Sequence, residues 1–352
     1  MGSMAEIKIK LIAIAKNEAA NLPQWVFHHF RLGVDSIDVY INGSSDNSFE
    51  ISRKINSFDP RFKFYDADHR LKKCALKGKN FQKHIYNRAF KKCKRDGSFS
   101  HLLILDLDEY LMPDKLENNL KDLIRSSGET SVVAFPWCLD APNSSEVKPF
   151  QKFICPIINL TPHPIVKSIG LISDIKKVLP HGFILSSKSI ESSITANRIL
   201  SIGIEINQNN SKIHGSHLGQ KLLKIFKNRI SESWFTLHRV NKSEVEYLAS
   251  LLKGRPSKVA KKDFNLLLKN NRKGFKIFNP KTMHQKTYNS SSVDTYNSDY
   301  DKFLQHLNIN TELEKSQNFI LMQLDQLDNL IKENPNIIKT FGKQFAGTRY
   351  SP

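Results

Sequence analysis

Three acids crowd the end of an apolar run in this 352-residue chain: Asp106, Asp108 and Glu109 come directly after His101-Leu102-Leu103-Ile104-Leu105. A buried strand does not end in bare carboxylates unless something cationic or hydrogen-bonding meets them. Asp106 and Asp108 stand two apart, so at a frayed strand end both can turn toward one point. A hard divalent cation such as Mg²⁺ or Mn²⁺ wants that set of oxygens, with water and phosphate filling the other positions. The same acids would also suit the cap and first turn of a helix, where the dipole favours negative charge. Tyr110-Leu111-Met112-Pro113, which follows, raises the metal reading above that of an isolated Asp-x-Asp.

Other polar clusters gain meaning beside this one. Lys16-Asn17-Glu18 offers an amide and a carboxylate that could bond a base or a ribose; taken alone it reads as a helix cap before Ala19. Asn42 to Asp46 is a turn by composition, and its side chains could also read a base edge. In His238-Arg239-Val240-Asn241-Lys242-Ser243 the imidazole is a candidate metal ligand, and the lysine four residues later could neutralise a diphosphate. His181, before Gly182 and after the segment Lys167-Ser168-Ile169, is ambiguous by itself. No Walker loop, dinucleotide fingerprint or Gly-x-Ser-x-Gly elbow is present.

The elements that must hold these clusters can be read from periodicity. Ile7 to Ala15 predicts a strand covered on both faces, and Leu22 to Leu32 a helix ended by Gly33. Strands at Ser36–Ile41, Phe62–Tyr65 and His101–Asp106 alternate with helices at Phe49–Ile55 and Lys79–Lys94, and a further strand is expected at Ser131–Pro136. Such alternation predicts an α/β fold with a mainly parallel sheet flanked by helices, whose ligands sit at the carboxyl ends of the strands. The pattern is hard to read from 137 to 235. Helix signals return from Ser243, and Thr311 to Glu333 is amphipathic.

Composition bounds the rest. A 39% hydrophobic and 25% charged chain can bury a core. No run approaches the roughly 20 apolar residues of a membrane span. Cys74, Cys93, Cys138 and Cys155 match no zinc spacing and read as reduced thiols, so a cytoplasmic setting is expected. Met1-Gly2-Ser3, ahead of a second methionine, reads as an appended scar. The net charge of +19 favours anionic partners. Lys253 to Lys286 holds eleven Lys or Arg against the single acid Asp263, which fits either a solvated surface or contact with substrate or the inner face of an anionic membrane.

Together the pieces resemble the GT-A glycosyltransferases, in particular the family 2-like and family 92-like group. The resemblance is carried by IAIAKNEAANLPQWVFHHFRLGVDSIDVYINGSSDNS, by KNFQKHIYNRAFKKCK with Gln82 and Asn87, by LILDLDEYLMP and VVAFPW, by KSI followed by HGF, and by LHRVNKSEVEYLASLLKGR. It implies a GT-A, Rossmann-like domain over residues 7–255, with a nucleotide-binding half (7–136) and an acceptor half (137–255). A basic, mainly helical C-terminal extension would cover 256–352. It further implies a nucleoside-diphosphate-sugar donor, most readily a UDP-sugar, and a saccharide or glycolipid acceptor of surface polysaccharide or glycoconjugate synthesis. Lys16, Asn17, Glu18, Asn42, Lys79, Gln82, Asp106, Lys242 and Ser243 would then serve the donor. Asp106, Asp108 and His238 would hold Mn²⁺ or Mg²⁺, and Trp137 and His181 would face the acceptor. Arg239 replaces the aromatic usual after the late histidine, and Cys138-Leu139-Asp140-Ala141 replaces expected glycines.

An inverting transfer also needs a carboxylate base. Asp140 is preferred because it follows the strand that opens the acceptor half; Glu109 is the alternative. Two other classes stay open. A basic nucleic-acid-binding protein is disfavoured because only Phe264, Phe275 and Phe278 interleave with the basic run. A metal-dependent nucleotidyltransferase would normally place further acids on a neighbouring strand.

Overall fold

The computed structural model describes residues 6–128, 130–186, 198–253, 268 and 272–351. Residues 254–267 and 269–271 of the basic run, and with them the expected boundary at 255/256, lie outside the described residues.

Apart from α3, the first half alternates as expected: β1 (Ile9–Ala15), α1 (Leu22–Arg31), β2 (Ser36–Ile41), α2 (Ser48–Phe58), β3 (Phe62–Asp66), α3 (Asp68–Leu76), α4 (Phe81–Asp96) and β4 (His101–Ile104). Local chemistry sets the ends of α4. The Asn80 side chain caps it by accepting the Lys83 amide at 2.9 Å, and Gly97 closes it at φ 71°. Then follow β5 (Glu109–Met112), β6 (Val132–Asp140) and the fifteen-residue β7 (Ile157–Leu171).

The main sheet runs β3-β2-β1-β4-β7-β6, then the strand Phe235–His238, then β5. β1 pairs parallel with β2 and β4, β2 with β3, and β6 with Phe235–His238. β7 lies antiparallel between β4 and β6. β4, β6 and Phe235–His238 therefore point the same way as β1, and β5 runs against its neighbour. The result is a curled, mostly parallel, Rossmann-like sheet. Alternate side chains of β1 confirm that both faces are covered: Leu11 and Ala13 join a core with Trp25 and Val26 of α1, while Ile12 joins a core with Phe81, Ile85 and Phe90 of α4.

Several elements differ from the expectation. The strand before the acids stops at Ile104, which leaves Asp106 and Asp108 in a tight turn, and β5 rather than a helix follows. α3 was not foreseen, nor was β7, in which Pro162 and Pro164 interrupt the apolar pattern next to a register shift at Pro136/Trp137. The C-terminal part is woven into the fold. His284–Thr287 pairs with β7, and the helix Ser290–Leu307 brings Tyr296, Tyr300 and Phe303 into the core of α1. Leu324, Leu327 and Ile331 of the helix Asn310–Glu333 pack on Tyr247, Leu248 and Leu251 of the helix Glu244–Leu251. No helix among the described residues is long and apolar enough to cross a membrane.

Candidate functional site

Five strands of one direction deliver the polar clusters to one edge. After β1 come Lys16, Asn17 and Glu18; after β2, Asn42 to Asp46; after β4, Asp106 and Asp108. β6 ends on Asp140, and the strand Phe235–His238 ends on His238.

The acidic turn is held from below. The Trp25 indole N–H donates to the carbonyls of Asp106 (3.1 Å) and Glu109 (2.8 Å). His28 Nε2 bonds the Leu111 carbonyl at 2.8 Å, and its Nδ1 lies 3.1 Å from the Tyr296 hydroxyl. His29 Nε2 accepts the Leu111 amide at 3.3 Å. Trp25, His28 and His29 on α1 thus clamp the turn and β5. Burial pushes His28 down to about 4, and burial followed by the neighbouring His28 pushes His29 well below its ordinary value, so both rings are neutral.

The two aspartates of the turn face different partners. Asp106 Oδ1 accepts from the Tyr86 hydroxyl (3.0 Å) and Gln82 Nε2 (3.4 Å), and its Oδ2 lies 3.3 Å from Lys167 Nζ. Asp108 Oδ2 lies 3.1 Å from His238 Nε2 and 3.7 Å from Arg272. Asp108 and His238 are therefore side by side, and Asp106 does not join them. Among the described residues no group of three or more His, Cys, Asp or Glu is arranged to hold a metal ion. The protein would supply two ligands, leaving the others to water and phosphate, a set that Mg²⁺ or Mn²⁺ accepts. His238 Nδ1 is buried without a partner, and the ring stacks on Trp137 at 4.2 Å and 14°.

Lys167, which the sequence offers only as part of the Lys167-Ser168-Ile169 segment, is the cation beneath the acidic turn. Fully buried, its ammonium reaches Glu109 (2.8 Å), Asp106 (3.3 Å) and the Pro180 carbonyl (3.1 Å), which uses its three donors. Burial alone would lower it, but Asp106 and Glu109 outweigh burial and hold it up to about 12. One ammonium serves two carboxylates, and burial pushes the more enclosed, Glu109, up to about 8. Glu109 also accepts the Asp106 amide at 2.8 Å and has no exposed surface. The available signal was a lone lysine inside the apolar run Pro164 to Leu171, which calls for a buried acid.

Next to Asp108 opens a cleft lined by Asn17, Glu18, Arg239, Lys242, Lys253 and Arg272 and bordered by Phe319, Ile320 and Gln323 of the C-terminal helix. Lys242 donates to Asn21 Oδ1 at 2.6 Å, and Lys253 pairs with Glu18. Burial pulls the Lys242 ammonium down, and Glu246 opposes this. Burial and the Lys253 charge lower Lys16. Lys253 and Arg272 belong to the basic run that the sequence offers for substrate contact, whereas nothing in the local sequence marks Tyr86 and Asn21 as site residues.

The remaining candidates have these placements. Asn17, at φ 51°, laces the loops after β1 and β2, donating its amide to Ser44 Oγ (2.9 Å) and accepting the Ser45 amide at its Oδ1 (2.7 Å). Asn42 is fully buried in that second loop. Lys79 is exposed before α4, its amide bonded to the Cys74 carbonyl at 2.9 Å. Ser243 caps the helix Glu244–Leu251, its hydroxyl accepting the Glu246 amide at 3.2 Å and donating to the Glu246 carboxylate at 2.9 Å. Asp140 Oδ1 accepts the Asn241 amide at 2.7 Å, and burial raises its carboxyl. Trp137 also meets His163 and His181 edge-on, at 5.6 and 5.8 Å. Burial, then the Lys167 charge, lowers His181 to about 3.

No protein-family profile matches the chain. No curated protein matches it either. Among solved structures it is similar to HddC from Yersinia pseudotuberculosis, at 12% identity over 56% of this chain and 95% of that one, with a TM-score of 0.31. It is also similar to a protein described as a glucose-1-phosphate thymidylyltransferase from Bacillus anthracis, solved with sucrose, at 7% identity over 50% and 76% of the two chains, with a TM-score of 0.27. Overlaps at such TM-scores decide nothing about the chemistry.

Proposed function

We propose that this chain is a metal-dependent glycosyltransferase that moves a sugar from a nucleoside diphosphate, UDP in the first instance, to a saccharide or glycolipid acceptor. The observation that carries the reading is the Asp108–His238 pair, 3.1 Å apart at the carboxyl edge of a Rossmann-like sheet and beside a cleft holding Arg239, Lys242, Lys253 and Arg272. An acid and an imidazole suit a divalent ion, and the four cations suit a diphosphate.

In this reading Asp108 and His238 hold Mn²⁺ or Mg²⁺. When bound, such an ion supplies neutralisation of the charge that develops on the diphosphate. Arg239 and Lys242 share that work from the protein side. Burial leaves the Lys242 ammonium poorly solvated, and a phosphate beside it would supply a compensating opposite charge. Asn17 and Glu18, on the same cleft, are the groups offered to the nucleoside. Transfer forms a bond from the acceptor oxygen to the anomeric carbon, breaks the bond from that carbon to the diphosphate, and sends the hydroxyl proton to a base. Asp140 is assigned that role. Its Oδ1 is committed to the Asn241 amide, Oδ2 is left for the acceptor, and a raised carboxyl is a stronger base. Glu109 is less suited, because it is sealed from solvent and bound to Lys167.

The test is turnover: release of UDP from a panel of UDP-sugars with Mn²⁺, using wild type and a His238→Ala variant. Metal-dependent release that falls at least about a hundredfold in the variant supports the reading. Synthesis of a nucleotide sugar from a nucleoside triphosphate and a sugar phosphate, with no UDP-sugar consumed, would point to a nucleotidyltransferase instead.

A further inference from the structure

A second concentration of positive charge is carried by residues that do not line the cleft. Between His69 and Arg95 the sequence holds eleven Lys or Arg and no Asp or Glu. Ten of the eleven are exposed; Arg70 is half-buried. The segment folds into α3, a turn and α4. The inner side of α4 is spent on the core through Phe81, Ile85 and Phe90, so the cations gather on the outer side. Among the described residues none of the eleven is in salt-bridge contact with a carboxylate. Ordinary solvated surfaces intersperse both signs. His84, on this face, is held below its ordinary value by partial burial and then by Arg70, Arg88, Lys79 and Lys73.

At the tip of this face sits an exposed apolar residue. Leu76, the last residue of α3, is 89% exposed, and the turn beyond it passes through Gly78 at φ 60°. Lys72, Lys73 and Lys77 flank it. Cations around a protruding apolar side chain match the two layers of an anionic bilayer surface, with phosphates outside and acyl chains beneath. Single-stranded nucleic acid would want exposed aromatic rings for its bases. Here Phe81, Tyr86 and Phe90 are buried, and Tyr65 lies under Lys92.

We propose that the face made by α3, the turn after it and α4 docks the protein on anionic phospholipid, with Leu76 entering the interface. This surface is separate from the basic run of Lys253 to Lys286, and the inference does not depend on the reaction proposed above.

The experiment is co-sedimentation of the full chain with phosphatidylcholine vesicles, with and without phosphatidylglycerol. Binding is expected only with phosphatidylglycerol. Each neutralised cation should weaken it about fivefold. Lys72→Gln, Lys73→Gln, Lys91→Gln and Arg95→Gln together should therefore weaken it more than about a hundredfold, with thermal unfolding unchanged because all four side chains are exposed. Leu76→Ser should weaken vesicle binding on the order of tenfold and leave binding to duplex DNA unaltered. Lys273→Gln, Lys276→Gln and Lys281→Gln should have less effect than the four-site variant. Binding that ignores phosphatidylglycerol, that survives the four-site change, or that is lost chiefly through the 273–281 variant overturns the proposal. If Leu76→Ser leaves vesicle binding intact while duplex DNA competes the protein off vesicles, the face belongs to nucleic acid.

Discussion

The neutral histidines beneath the acidic turn make acid lability a direct test of how that turn is held. His28 is buried with both nitrogens engaged, to the Leu111 carbonyl and the Tyr296 hydroxyl, and burial lowers it from 6.5 to about 4. Below pH 6.5 the unfolded chain takes up a proton that the folded chain refuses, so the unfolded state binds more protons and stability falls as pH falls. The contribution is complete above the unfolded value and is lost progressively down to the folded one. A drop of this size corresponds to about 3 kcal/mol in full, of which about 2 kcal/mol is already gone near pH 5. The perturbation is His28→Gln, which removes the titrating group and keeps a polar side chain. Urea denaturation of both proteins near pH 7.5 and pH 5 gives the difference directly. The variant should be less stable at the higher pH through lost packing on Tyr110 and Phe153, yet lose about 2 kcal/mol less than wild type on acidification. Equal losses would refute the picture of His28 as a buried neutral clamp.

Other outcomes follow from the same geometry. Asp140→Asn keeps an oxygen for the Asn241 amide, so folding and UDP binding should survive while transfer falls at least about a hundredfold; steady-state kinetics beside calorimetry would separate the two, and full residual activity removes Asp140 as the base. Lys167→Met leaves Glu109 and Asp106 without their cation and should cost about 3–5 kcal/mol, with Glu109→Gln in the same chain recovering part of it in denaturant melts. Gly170→Ala would set a Cβ 2.8 Å from the Phe183 ring, and overpacking of this kind costs about 1–3 kcal/mol, readable as a lowered Tm.

The part of the sheet formed by β1 to β4 was legible because its strands and helices are local and strongly periodic, and because polar residues follow each strand at once. Trp25, His28 and His29 were visible as a block, but their work was not, since their partners lie about eighty residues on, at the acidic turn and Leu111. β5 was hidden because a short strand opening with an acid reads as a helix start. β7 was hidden by its two prolines, and the role of Lys167 with it. The sequence placed Asp106 and Asp108 together, but the chain turns them to different partners, one to Lys167 and the other to His238. The contribution of the C-terminal helices to the cleft border depends on packing across nearly the whole chain, which no local pattern encodes.

The most direct test of the proposed chemistry is calorimetric titration of the full chain with UDP, with and without Mn²⁺, beside a variant carrying Asp106→Ala and Asp108→Ala. Binding that needs the metal and vanishes in the variant is the predicted result. If no nucleoside diphosphate binds with metal present, or if UDP binds the variant as it binds wild type, the Asp108–His238 edge is not a donor site.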